Sequence, residues 1–228
     1  MEVLNRTVAN MSNLEIKGYV FNFLQKAESR KKLIRYFEAV KYIEFEEDVD
    51  VEEDIQQLRY PIGEMPAPLT FSESDLTNWI GDMEKLPAQL RTAVQNLTPQ
   101  QLDTPYRPEG WTVRQVVHHV SDSHINAFVR LKLALTEDNP TIKPYEEQFW
   151  AELPDSKMEI ELSLQIIRHL HQKMVKILRG LSATEFERTF YHPGSKKTFK
   201  VGTLAAMYAW HGLHHLGHIE NLAKREKW

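Results

Sequence analysis

The chain has 228 residues, 42% of them hydrophobic, which is enough for a sizeable core in one medium domain with an appendage or in two small ones. Its formal charge of −4 sets up no general field for nucleic acid, and the absence of cysteine removes disulfides, thiolate metal ligands and thiol nucleophiles. No stretch approaches the length of a membrane span and the N-terminus lacks an apolar signal region, so the expectation is a cytoplasmic protein with neither membrane nor nucleic-acid partners.

Residues 1–59 differ from the rest. Val20, Phe21, Leu24, Leu33, Ile34, Phe37 and Val40 recur at helical spacing, with basic residues between them, and a dense acidic run follows from Glu44 to Asp54. This segment reads as an N-terminal extension: an amphipathic helix plus a linker, either a partner-docking arm or a loosely attached appendage. A proline-rich entry, Tyr60 to Pro68, leads into residues 60–228. There the pattern predicts an all-α four-helix bundle. The first helix spans about Ser72 to Asn96, with Ser72 and Asp75 at its cap and a kink or break at Pro87. The second runs from the box Thr112/Gln115 to about Thr136. A long loop, Asn139 to Asp155, carries Tyr145, Phe149 and Trp150. The third helix is expected to start at the box Ser156/Glu159 and to end near Arg179-Gly180, with glycine at the C-cap. Ser182 to Glu187 reads as a short helix and Tyr191 to Lys197 as a turn or small hairpin. The fourth helix covers about Val201 to Lys224.

That last helix holds His211, His214, His215 and His218, four of the ten histidines within eight residues. Positions i and i+4 share a helix face, so His211 and His215 can present two imidazoles to one point, and His214 and His218 form a second pair on a neighbouring face. Helix two contributes Val117 to His124. Its apolar stripe is Val113, Val117, Val120, Phe128, Leu131 and Leu135. His119 lies on an adjacent stripe with Val116, Ser123, Asn126 and Arg130, which is either a solvent face or one wall of a site between helices. His119, His211 and His215 together make three protein ligands, the number that leaves open positions on a catalytic metal. With no cysteine present, imidazole and water suit Zn²⁺, with Ni²⁺ as the alternative. Asp122 is the best-placed carboxylate for orienting a ring, and Arg130 and Arg114 are candidates for binding substrate carboxylates. His192 is a weaker candidate near the site.

The segments WTVRQVVHHVSDSH (Trp111–His124) and WHGLHHLGHIENL (Trp210–Leu222) resemble the DinB/YfiT-like superfamily. The similarity is greatest to YfiT-type metal-dependent hydrolases, which are related to bacillithiol S-transferases. YPIGEMPAP, QLDTPYRPEGWTVRQVVHH and FYHPGS add to it, over about Tyr60 to Trp228, while residues 1–59 lie outside. The resemblance implies a four-helix bundle, a homodimer, and one divalent metal held by one histidine of an HxxD segment and two of an HxxHH segment. Those patterns fall on His119–Asp122 and His211–His215, which carries the ligand roles over to His119, His211 and His215, with His214 and His218 facing elsewhere. The implied activity is transfer of a low-molecular-weight thiol of the bacillithiol type to an electrophilic small molecule. Hydrolysis by activated water is the alternative, because a bound cation lowers the pKa of either nucleophile. A third reading, from a different class, is a metal- or partner-binding bundle without catalysis.

Overall fold

The structure is a computed structural model that describes residues 51–228, with side chains from Ile55 onward. The expected helix at Val20–Ile43 lies outside the described residues, and the last four residues of the acidic run open helix α1 (Val51–Arg59). Two compact units are present. The helix α1 and residues 107–110 belong to one; Pro61–Tyr106 and Trp111–Trp228 form the other.

In the second unit the elements are α2 (Glu73–Val94), α3 (Pro99–Leu102), α4 (Val113–Thr136), α5 (Glu147–Trp150), a 3-10 turn (Pro154–Lys157), α6 (Glu161–Leu178), α7 (Ala183–Phe186), β1 (Thr189–His192), β2 (Lys197–Lys200) and α8 (Val201–Glu226). Helix α2 begins where expected, because Ser72 accepts from the Asp75 N–H at 3.1 Å and Asp75 accepts in return from the Ser72 N–H at 2.8 Å. Thr112 and Gln115 form the same reciprocal box at the start of α4, and Ser182 and Glu185 at α7. The short hairpin pairs Phe190 with Phe199 and His192 with Lys197.

Three local expectations are corrected. Of the kink or break expected at Pro87, the break does not occur: Pro87 sits inside a continuous α2, because Leu86 and Leu90 on either side are fully packed in the core and the helix is held by tertiary contacts. The box at Ser156 does not form: the buried Ser156 hydroxyl donates instead to the Trp150 carbonyl at 3.2 Å, and α6 starts later, at Glu161, with no side-chain cap. Gly180 supplies no left-handed C-cap, since α6 ends on Arg179 in ordinary right-handed geometry.

Each long helix packs on two others, in the cyclic order α2, α6, α4, α8. Helices α8 and α2 approach closely at Gly212, where an added Cβ would collide with the Leu86 side chain. The core is not one continuous apolar volume. One cluster holds Met83, Leu131, Met174, Leu178 and Leu204; the other holds Leu86, Leu90, Val117, Ile167 and Ile219. Between them, at mid-height of the bundle, α4, α6 and α8 contribute histidines. Burying polar rings in an apolar core is costly unless they are hydrogen-bonded, so this layer calls for a partner at every nitrogen.

Candidate metal centre

The packing of α4 on α8 brings the three expected imidazoles together. Donor atoms of His119, His211 and His215 lie within 4.8 Å of one another. The Nε2 atoms of His119 and His211 are 3.2 Å apart. Two nitrogens bound to one tetrahedral Zn²⁺ at 2.0–2.1 Å would stand about 3.4 Å apart, so the donor set fits such a cation. His119 and His215 are buried, and the Trp111 ring lies 4.5 Å from the His119 ring. Burial, reinforced by the neighbouring His214, pushes the His119 pKa down to about 4. The same desolvation, reinforced by adjacent rings, holds His211 and His215 well below the ordinary histidine range. Near neutral pH all three are therefore uncharged, with lone pairs available to a metal. The stripe of His119, Val116 and Ser123 is a buried wall between helices and not a solvent face.

His214 and His218 do not face away from this region. Both are buried, and with His215 they form a second group of clustered donor atoms. Their rings are engaged with aromatic neighbours: His218 stacks on Tyr106 at 3.9 Å and His214 on Trp210 at 4.3 Å. His215 and His218 also approach through their Nδ1 atoms at 3.3 Å.

The other candidates separate. The half-buried Asp122 carboxyl is pushed up to about 6 by desolvation and by Asp155, and it forms no hydrogen bond to His119, His211 or His215, so it does not orient a ring. Arg114 is already committed, with Nε donating to Asp103 at 2.7 Å and Nη1 to the Met158 carbonyl at 3.1 Å. Arg130 differs. It donates to the Tyr208 hydroxyl at 3.1 Å and lies over the Tyr145 ring, while its Nε is buried without a partner. Tyr208 lies 5.8 Å from His211, ring to ring, which sets Arg130 beside the centre. Of the loop aromatics, Tyr145 reaches this group through its ring, 5.9 Å from the Arg130 guanidinium carbon, whereas Phe149 is exposed. His192 caps its own turn, accepting from the Ser195 N–H at 3.2 Å.

Sequence reasoning missed His171, Tyr208 and a role for His124. The His124 ring contacts His211 Nδ1 through Nε2 at 3.2 Å and His171 Nε2 through Nδ1 at 2.7 Å. His171 Nδ1 in turn contacts the Met83 carbonyl. The one local signal was Pro87, a residue whose missing N–H frees the carbonyl four positions earlier in a helix, and that position is Met83.

The DinB superfamily model matches residues 82–219. Proteins of Bacillus cereus (strain AH820) and Bacillus mycoides (strain KBAB4), each named "Putative metal-dependent hydrolase", are 50% identical over 174 residues, spanning 76% of this chain and all of theirs. Among solved structures, YfiT from Bacillus subtilis, described as a probable metal-dependent hydrolase with an unusual four-helix bundle topology, superposes with a TM-score of 0.74 at 45% identity, covering 75% of this chain and 99% of that one. With the helical bundle and the clustered imidazoles, these similarities show that the chain belongs to the DinB superfamily.

Proposed function

We propose that this protein is a metal-dependent enzyme in which His119, His211 and His215 hold one divalent cation, Zn²⁺ in the first instance, and activate a small nucleophile against a small-molecule substrate. The observation that carries this reading is the meeting of three uncharged imidazoles from two helices, two of them buried and His211 partly so, at a spacing suited to one cation. The cation would supply Lewis acidity, lowering the pKa of a nucleophile at its open position toward neutrality. The chain supplies the surroundings. Trp111 shields His119 from water, and Arg130, held by Tyr208 and Tyr145, offers a positive charge to an anionic group of the substrate.

The nucleophile in this reading is a low-molecular-weight thiol, transferred to an electrophile. In its support, the chain has no thiol of its own, and Arg130 has no carboxylate partner among the described residues, which suits a thiol cosubstrate bearing carboxylates. Hydrolysis is the second reading, favoured by the names of the Bacillus relatives. The test incubates metallated protein with bacillithiol and a model electrophile, and separately with ester and amide substrates. Conjugate formation above background, lost in His119→Ala, supports thiol transfer. Metal-dependent hydrolysis without conjugation replaces it with the second reading. Neither activity at full metal content points to a binding bundle.

A further inference from the structure

The mid-bundle layer crosses all four long helices in one line. It runs from His211 on α8 to His124 on α4, then to His171 on α6, and ends at the Met83 carbonyl on α2. We propose that Met83, His171 and His124 form a hydrogen-bonded chain of fixed polarity that locks His211 as its Nδ1–H tautomer and so presents the His211 Nε2 lone pair to the cation. This rests on the metal-centre reading above.

The polarity follows from the terminus. A carbonyl can only accept, so His171 must carry its proton on Nδ1. His124 and His171 are fully buried, and no carboxylate is bonded to either ring among the described residues, so both rings are neutral. A neutral His171 with a proton on Nδ1 has a lone pair on Nε2, which must accept from His124 Nδ1–H at 2.7 Å. His124 then has its lone pair on Nε2 and accepts from His211 Nδ1–H at 3.2 Å. Reversing the chain would set the His171 Nδ1 lone pair against the oxygen of Met83, a repulsive contact at a buried ring.

Pro87 explains why that carbonyl is available. In an uninterrupted helix the Met83 oxygen would accept from the N–H of residue 87, and proline has none. His171 takes up the vacated acceptor. A residue that reads as a helix breaker is thus the anchor of a tautomer assignment three side chains away. His124 and His171 are positioning residues: they touch neither cation nor substrate, and they act through His211.

The experiment has two arms. In metal-free wild-type protein, long-range proton–nitrogen correlation spectra should show Nδ1–H tautomers for both His124 and His171; an Nε2–H form of either overturns the proposal. In the second arm, Zn²⁺ affinity is measured by competition with a chromogenic chelator. His171→Leu should weaken binding by about 10- to 100-fold, the usual range for loss of a partner behind a metal ligand. His171→Gln should recover most of that loss, because its amide can donate to Met83 and accept from His124. Wild-type affinity in His171→Leu, or a His171→Gln as weak as His171→Leu, overturns the positioning role while leaving the metal centre intact. A wild type that binds no Zn²⁺ overturns the metal reading and this role together. If His171→Leu fails to fold, the wild-type tautomers decide the question.

Discussion

Helix α8 carries two histidine faces that look equivalent in sequence and differ in kind once folded. His211 and His215 meet His119 from another helix, and His211 is backed by a ring that fixes its far nitrogen. His214 and His218 are as buried, and cluster with His215, but all three come from one helix and the first two are stacked on Trp210 and Tyr106. Proximity of imidazoles is therefore a poor criterion for a metal centre. What separates the faces is that the donors of the first converge from two helices and that His211, among them, has a ring at its far nitrogen. Because His215 belongs to both groups, the two faces should not fill together, and one cation per chain is expected.

The largest effect should come from truncating the converging face. His211→Ala or His215→Ala should lose most bound metal, and His214→Ala little, as read by metal analysis of the purified proteins. Equal loss in His214→Ala would mean that the stacked face contributes a ligand.

The stacked face should matter to stability instead. Tyr106→Ala removes a buried ring and the stacking partner of His218, at a cost of about 3 kcal/mol in a denaturant titration, within the range for large core truncations. Metal content per folded chain should be unchanged. A Tyr106 variant that loses metal at wild-type stability would break the contrast between the faces.

Acid should sharpen the contrast further in chelated protein. His119 titrates near 4 when folded, against an ordinary value of 6.5, because burial disfavours its cation. The folded-state pKa is depressed, so the unfolded chain takes up more protons between these values. Stability should hold above pH 6.5 and fall as the pH drops toward 4, with the helical circular dichroism intact in chelator near neutrality. Collapse of that signal on chelation alone would make the metal a folding cofactor, which the capping boxes and apolar clusters argue against.

The smallest effects should come from features outside both faces. Asp122→Asn should change Zn²⁺ affinity by less than about twofold, below the 10- to 100-fold expected for loss of a partner behind a metal ligand, since its carboxylate bonds to none of the three proposed ligands. A tenfold loss would give it the orienting role expected from its spacing. A chain beginning near Gln56 should still fold and bind one metal, as the segment before it is proposed to be separable; loss of solubility would show that the amphipathic stretch Val20–Ile43 packs on the bundle or on a partner.

The sequence by itself determined the helices and the two ligand-bearing segments. Capping boxes at Ser72, Thr112 and Ser182 act within four residues, and helix geometry alone places His211 and His215 on one face. The same local rules misread Ser156 as a cap and would allow a break at Pro87 that does not occur, because there a neighbouring segment or the core outweighs local preference. Tertiary structure decided the rest: which helices adjoin, that Arg114 is neutralised by Asp103 while Arg130 is not, and that His124 and His171 stand in line behind His211. The contacts of that line join residues 87, 47 and 88 positions apart, a separation at which no periodicity or motif carries information. Only the packing of four helices around a shared polar layer brings those nitrogens within reach of one another, and the cost of leaving any of them unpaired in the core is what holds them there.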